Sequence, residues 1–192
     1  MLEKIVSLDT QLFIYLNGLG SETFDGFWLL VTKQTSWIPF FAVLLYLIFK
    51  KLGTKQTLYM LLFVAILLVF TDQITNLFKY AFHRLRPCNN PEINAKIRII
   101  KSSATFSFFS GHAANTMAVA TFLYFNLKRH FKYLGFLFLW PLIFAYSRIY
   151  LGLHYPTDII CGYLCGLIMG FLMFKLYQNA QQKYFPGVIG TK

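Results

Sequence analysis

Three short clusters hold the residues able to do chemistry: Lys79 followed by Arg86 and Pro87; Ser110, Gly111 and His112; and Ser147 and Arg148 followed by His154 and Asp158. In the third, Pro156 suits the first turn of a helix, which puts Asp158 in that turn and His154 just ahead of it. A carboxylate close to an imidazole fixes its tautomer and stabilises the imidazolium, leaving the other ring nitrogen free to attack. In the second, Ser110 can cap a helix and Gly111 lets the backbone approach a ligand, so the N–H groups there form an anion site. His112, in the first turn of that helix, would face His154 across the anion, protonate a leaving oxygen and later activate water. Lys79, Arg86 and Arg148 supply positive charge to the oxygens of a transferring phosphoryl group, and guanidinium forks match that geometry bidentately. The chemistry indicated is phosphoryl transfer to a histidine nucleophile, with no metal needed to neutralise the charge.

Taken singly, each cluster has a plainer reading. A Lys or Arg at a helix end is commonly a snorkelling anchor, and Ser-Gly-His is a common helix cap. His112, His154 and Asp158 could be imagined as three metal ligands, but the three surrounding cations would repel a divalent ion and attract phosphate. Three separate helix ends that all offer phosphate-binding or acid–base groups on one face favour catalysis.

The elements that must position these clusters are transmembrane helices. The chain has 192 residues, of which 57% are hydrophobic and 13% charged, with a mean hydropathy of +0.53; soluble domains run near ~25% charged. The net charge of +11 would suggest nucleic acid on a soluble surface, but here the cations must sit in loops and at helix ends, where they report topology. Cys88, Cys161 and Cys165 form no disulfide framework, since Cys161 and Cys165 lie one helical turn apart, where a bridge fits poorly. The N-terminus lacks the long apolar core and small-residue cleavage site of a secretory signal.

Residues 1–33 alternate apolar and polar at helical spacing around a turn at Gly18 and Gly20, which fits two short amphipathic helices lying in the interface. Spanning stretches follow, roughly from Trp37 to Phe49, Leu58 to Tyr80, Ala113 to Leu127, Tyr133 to Tyr150 and Thr157 to Tyr177. Lys50, Lys51 and Lys55, then Lys128, Arg129 and Lys132, then Lys175, Lys183 and Lys192 mark the cytoplasmic side. Residues 81–111 and 151–156 then share the opposite side, where a loop rich in cations suggests an anionic ligand. The expected fold is all-α: one membrane-embedded domain over 1–192, with interfacial helices (1–33), a polytopic bundle of about five or six transmembrane helices (34–177) and a cytoplasmic tail (178–192). Residues 187–192 read as frayed.

Other features carry less. Asp72, Thr75, Asn76 and Lys79 share one helix face, and an intramembrane carboxylate is a functional candidate, with a polar contact between helices as the plainer reading. Gly162, Gly166 and Gly170 recur every four residues and should pack against the bundle. Arg98 and Lys101 could grip a headgroup or simply anchor a loop, Arg84 is similarly ambiguous, and His83 is a bystander.

In order and spacing these residues resemble the type-2 phosphatidic acid phosphatase family, which shares its site with bacterial class A acid phosphatases and vanadium haloperoxidases. The family signature is Lys, six residues, Arg-Pro; then Pro-Ser-Gly-His; then Ser-Arg, five residues, His, three residues, Asp. Lys79, Arg86 and Pro87 match the first element, and Ser147, Arg148, His154 and Asp158 the third, with every spacing kept. The second departs only at Phe109, where the family has proline. Over residues 58–177 the resemblance implies a helical bundle with its site at the outer membrane face, a phosphohistidine on His154, His112 as acid and then base, phosphate held by Lys79, Arg86, Ser110, Gly111 and Arg148, and no metal or other cofactor. The expected substrate is a lipid phosphomonoester or diphosphate in the cytoplasmic (inner) membrane. Undecaprenyl diphosphate comes first, ahead of phosphatidylglycerol phosphate, phosphatidic acid and the lipid A phosphates. The partners are then the bilayer and its lipids, without nucleic acid, and the oligomeric state is open. The competing expectations are a lipid-phosphate binding or transport protein without turnover and, more weakly, vanadate-dependent halide oxidation.

Overall fold

A computed structural model describes residues 2–184, and every element in it is helical. The frayed end expected at 187–192, Lys192, and the tail beyond Tyr184 lie outside the described residues. Two N-terminal helices, α1 (Leu2–Gly18) and α2 (Glu22–Thr32), are two-faced. Ile5, Leu8, Leu12, Phe24, Phe27 and Leu30 are exposed, while Phe13, Asn17, Val31 and Thr32 are buried against the rest of the chain.

The next helix, α3 (Ile38–Phe82), begins with proline at its N-terminus and ends on His83, whose left-handed backbone (φ 48°) returns its N–H to the Lys79 carbonyl at 3.1 Å. The two spans expected at 37–49 and 58–80 are two arms of this element. The chain bends sharply at Gly53 (φ 75°), a conformation open to glycine. Lys50, Lys51 and Lys55 therefore flank a kink and no separate loop intervenes. The hydroxyl of Thr57 donates to the Gly53 carbonyl at 2.8 Å, absorbing an acceptor freed at the bend.

Beyond a loop with short 3-10 turns come α4 (Gly111–Leu127), a 3-10 segment (Leu134–Phe138), α5 (Leu139–Tyr150) and α6 (Pro156–Tyr184). The stretch expected as one span from Tyr133 is thus part 3-10 and part α. Pro141 sits in the first turn of α5, where a missing N–H costs no intrahelical bond. Helix α6 runs past the expected boundary at Tyr177 to Tyr184, so the first part of the expected tail continues the helix.

Helices α4 and α6 run side by side in the same direction. A Cβ on Gly162 would come within 2.7 Å of the Ser110 carbonyl oxygen; on Gly166 or Gly170 it would meet the Ala114 or Ala118 oxygen at 2.5 Å. The small residues remove the side chains that would hold the two backbones apart.

Two helical stretches, Gln34–Asn89 and Pro156–Tyr184, are long and apolar enough to cross a membrane. Only 22% and 28% of their most apolar windows are buried. The remainder, including Val43, Val69, Leu164, Ile168 and Leu172, faces outward, a surface far larger than a soluble monomer tolerates but suited to lipid.

Candidate active site

The corner between α5 and α6 is built by the backbone. Leu153 and His154 donate their N–H groups to the Arg148 carbonyl at 2.9 and 3.3 Å. Gly152 turns the chain with φ 84°, and a Cβ there would meet the Arg98 carbonyl oxygen at 3.0 Å. The corner leaves His154 1% exposed and Asp158 fully buried in the first turn of α6.

Asp158 Oδ2 lies 3.3 Å from His154 Nδ1, accepts the Tyr155 N–H at 3.0 Å, and accepts the Ser107 hydroxyl. A carboxylate at Nδ1 keeps the proton there, so Nε2 carries the lone pair. Consistently, Arg86 Nη1 donates toward Nε2 at 3.0 Å. Burial, against the opposing Asp158 hydrogen bond and together with the Arg86 and Arg148 charges, pushes the His154 imidazole down to about 4. The ring is therefore neutral, as a nucleophile requires, across the physiological range.

Arg86 is held by Thr105, whose carbonyl accepts from Nε and whose hydroxyl accepts from Nη2, both at 2.8 Å, and by the Leu153 carbonyl at 3.0 Å. Arg148 donates through Nη1 to the Thr32 hydroxyl at 2.5 Å, and its buried Nε meets no partner among the described residues. That unpaired donor is a ready place for an anion's oxygen.

Ser110 caps α4, accepting the Ala113 N–H at 3.4 Å, and its own N–H donates to the Asp158 carbonyl at 3.0 Å, tying the start of α4 to the start of α6. Gly111 packs closely on α3, where a Cβ would come within 3.0 Å of Thr75 Cγ2. His112 stacks on Phe144 with ring centroids 5.6 Å apart. His112, Gly111 and Lys79 line one end of a cavity of about 770 Å³. From that end the cavity runs between both arms of α3 and helices α4 and α5, past Val64, Leu68, Val119 and Trp140 to Ile48 and Thr57. Its walls are mostly apolar, and toward the site Asp72 accepts from Asn115 Nδ2 at 3.2 Å. The Asp72 carboxylate is thus a polar contact between α3 and α4.

Ser147, although part of the motif, turns its hydroxyl to the Phe144 carbonyl at 2.5 Å, within its own helix. Arg98 forms a two-pronged ion pair with Asp25, both contacts at 2.9 Å, so it ties α2 to the outer loop. Among the described residues no three His, Cys, Asp or Glu side chains are placed to share a metal ion.

Ser107, Thr105 and Thr32 around the site escape the sequence, and Arg84, open there between gripping a headgroup and anchoring a loop, proves to be an ion-pair partner. Arg84 donates to Asp158 Oδ1 at 2.8 Å and to Asp9 Oδ2 at 2.6 Å. Ser107, Thr105 and Thr32 hold Asp158, Arg86 and Arg148 in turn. Only Arg84 had a local signal, its closeness to the first cluster; the others are small or distant polar residues with no periodic pattern.

A family model described as the PAP2 superfamily matches residues 56–182. The chain is 35% identical over 91% of its length to a lipid A 4'-phosphatase of Bacteroides thetaiotaomicron, covering 79% of that protein. It is 30% identical over 95% of its length to a lipid A 4'-phosphatase of Porphyromonas gingivalis, covering 78% of it. Its fold superposes on the crystal structure of a transmembrane PAP2-type phosphatidylglycerolphosphate phosphatase from Bacillus subtilis with a TM-score of 0.68, at 20% identity, over 96% of this chain and 89% of that one.

Proposed function

The chain belongs to the PAP2 superfamily and is a membrane enzyme that hydrolyses lipid phosphate esters, and on that premise we propose that it removes a phosphate monoester from lipid A by way of a phosphohistidine on His154. The observation that carries the catalytic part is the buried Asp158–His154–Arg86 line, with contacts of 3.3 and 3.0 Å. It presents one imidazole nitrogen to a carboxylate and the other to a cation that phosphate can recruit.

In this mechanism the phosphoester group enters between Lys79, Arg86, Arg148 and the N–H groups at the start of α4. Arg86 turns from Nε2 to a phosphoryl oxygen, and Nε2 attacks phosphorus. The P–N bond forms as the bond to the leaving oxygen breaks, and His112 gives that oxygen its proton. Asp158 stabilises the charge on the phosphorylated ring through Nδ1–H. His112, now unprotonated, takes a proton from water, which attacks phosphorus, releases phosphate and restores His154. The cavity lodges a lipid tail beside the reacting group, so the ester is processed without leaving the bilayer.

Lipid A replaces undecaprenyl diphosphate as the first choice because the two relatives described above, at 35% and 30% identity, are lipid A 4'-phosphatases. A carrier without turnover finds no support in a family of phosphatases. We place the site at the outer face of the cytoplasmic membrane, since the cations at 50–55 and 128–132 mark the inner one. The test is phosphate release by the purified protein from lipid A, undecaprenyl diphosphate, phosphatidylglycerol phosphate and phosphatidic acid side by side. Lipid A is expected to give the highest kcat/KM, with loss of the 4'-phosphate; a preference for undecaprenyl diphosphate would overturn the choice of lipid.

A further inference from the structure

Helix α1 lies outside the residues matched by the family model, yet one of its side chains is linked through Arg84 to Asp158. Asp9 is 5% exposed. Its Oδ2 receives Arg84 Nη2 at 2.6 Å and the Thr157 hydroxyl at 2.5 Å, and its Oδ1 receives the Thr157 N–H at 2.9 Å. Arg84 Nη1 in turn reaches Asp158 Oδ1 at 2.8 Å and the Thr157 hydroxyl at 2.9 Å. Its guanidinium carbon sits 3.9 Å over the Tyr155 ring. Asp9, Arg84 and Asp158 thus form a carboxylate–guanidinium–carboxylate chain ending 3.3 Å from His154 Nδ1.

We propose that Asp9 is a positioning residue for phosphoryl transfer: through Arg84 it orients Asp158 and sets how much of that carboxylate's negative charge reaches His154. This rests on the reading of His154 as the nucleophile.

A guanidinium paired with Asp158 alone would largely cancel the charge that must stabilise the phosphorylated imidazole. A second carboxylate shares the guanidinium and restores part of that charge to Asp158, while both Oδ atoms of Asp158 stay fixed. Burial disfavours the charge on Arg84, but Asp158 and Asp9 together outweigh it and raise its pKa, so the cation stays in place. The other groups facing His154 are Arg86 from the loop after α3, Arg148 on α5 and His112 on α4, with Lys79 on α3 beyond them. All are or can become positive. Asp158 is the acid paired with His154, so the Asp9 contribution has little to mask it.

The test uses the full chain in detergent micelles with histidine ring nitrogens labelled by 15N, and follows the His154 titration by NMR beside the pH profile of kcat/KM on dioctanoyl phosphatidic acid. Asp9→Asn keeps the acceptor for the Thr157 N–H but removes the charge, leaving Arg84 wholly to Asp158. The His154 midpoint and the acid limb should then fall, by on the order of one pH unit, and kcat should drop while KM changes little. Arg84→Gln frees Asp158 and should move both upward. Asp9→Glu should restore the wild-type midpoint. In the Arg84→Gln background, Asp9→Asn should shift the midpoint little further, because Asp9 acts through Arg84. Midpoints unchanged in both single variants, or moved in the same direction, would overturn the proposal. The titration does not need turnover, so a protein inactive on every lipid phosphate would refute the enzymatic reading while the NMR still decided the linkage.

Discussion

The two ends of the bundle are tied by different kinds of contact. At the end that holds His154, charged groups are buried: Asp158, Asp9, Arg86 and Arg148 are each 5% exposed or less. At the other end the ties are neutral. Gln181 Nε2 donates to Gln56 Oε1, and Gln178 Nε2 donates to Asn126 Oδ1 at 2.9 Å. Around them Tyr59, Phe63, Phe122 and Tyr177 pack with ring centroids between 5.1 and 5.6 Å. Buried charge is costly to desolvate and often stabilises no better than an apolar substitute, so its concentration at one end marks where function demands it. Amides are enough where only helix register has to be fixed.

The largest effect should come from breaking the charged end. His154→Ala is expected to reduce phosphate release by about 10^4-fold or more while thermal unfolding in detergent changes little, and to abolish any acid-labile, alkali-stable phosphoenzyme. Substantial turnover by this variant would remove His154 from the role of nucleophile.

Next comes the seam that joins the two ends. Gly166→Ala gains at most about 1 kcal/mol in helix propensity, but its Cβ would stand 2.5 Å from the Ala114 oxygen and 2.8 Å from Met117 Cβ. Those contacts involve backbone and a Cβ, which cannot swing away, so overpacking at about 1–3 kcal/mol wins. A lowered unfolding midpoint, with reduced turnover, is the expected result.

Between the two ends runs the apolar cavity. Val64→Trp places an indole in its middle and should lower kcat/KM on long-chain lipid phosphates about tenfold, leaving a soluble phosphomonoester such as p-nitrophenyl phosphate unaffected. Equal loss on both substrates would show that the cavity serves the fold and not the tail.

How much of this arrangement the sequence disclosed depended on distance along the chain. His154 and Asp158 are separated by one helical turn with a proline between them, so their pairing follows from local geometry. The glycine stripe on α6 was legible for the same reason, since a period of four needs no knowledge of the partner. Arg84 and Asp9 are 75 residues apart, and an acid in an amphipathic helix looks like solvated surface until α1 is docked. The bend at Gly53 was hidden by its lysines, which resemble a loop although the helix continues on both sides. At Gly111 the sequence suggests room for a ligand, and what it does not disclose is that Thr75 of α3 also packs close to that backbone.

A milder perturbation of the charged end is acid. His154 has a folded-state pKa lowered to about 4 from its ordinary 6.5, so between those values the unfolded chain binds a proton that the native site excludes. Stability should therefore be full above about pH 6.5 and decline toward pH 4. The acid limb of kcat/KM should likewise lie below 6.5. Urea or thermal titrations at pH 7 and pH 5 check the first statement, and a rate profile with its acid limb at 6.5 or higher would contradict the second.

The smallest effect should come from the neutral end. Gln181→Leu removes the donor to Gln56 Oε1 and leaves that oxygen without this partner, but it also removes Gln181 Oε1, which is buried with no partner among the described residues. One lost hydrogen bond between membrane helices is worth about 0.6 kcal/mol, and relief of the orphaned oxygen offsets part of it. The net change in stability should thus stay within about 1 kcal/mol, with kcat and the acid limb unchanged, because no charge near His154 is altered. A shift of the acid limb in this variant would mean that the two ends are electrostatically or conformationally coupled, and the division between a charged working end and a neutral structural end would fail.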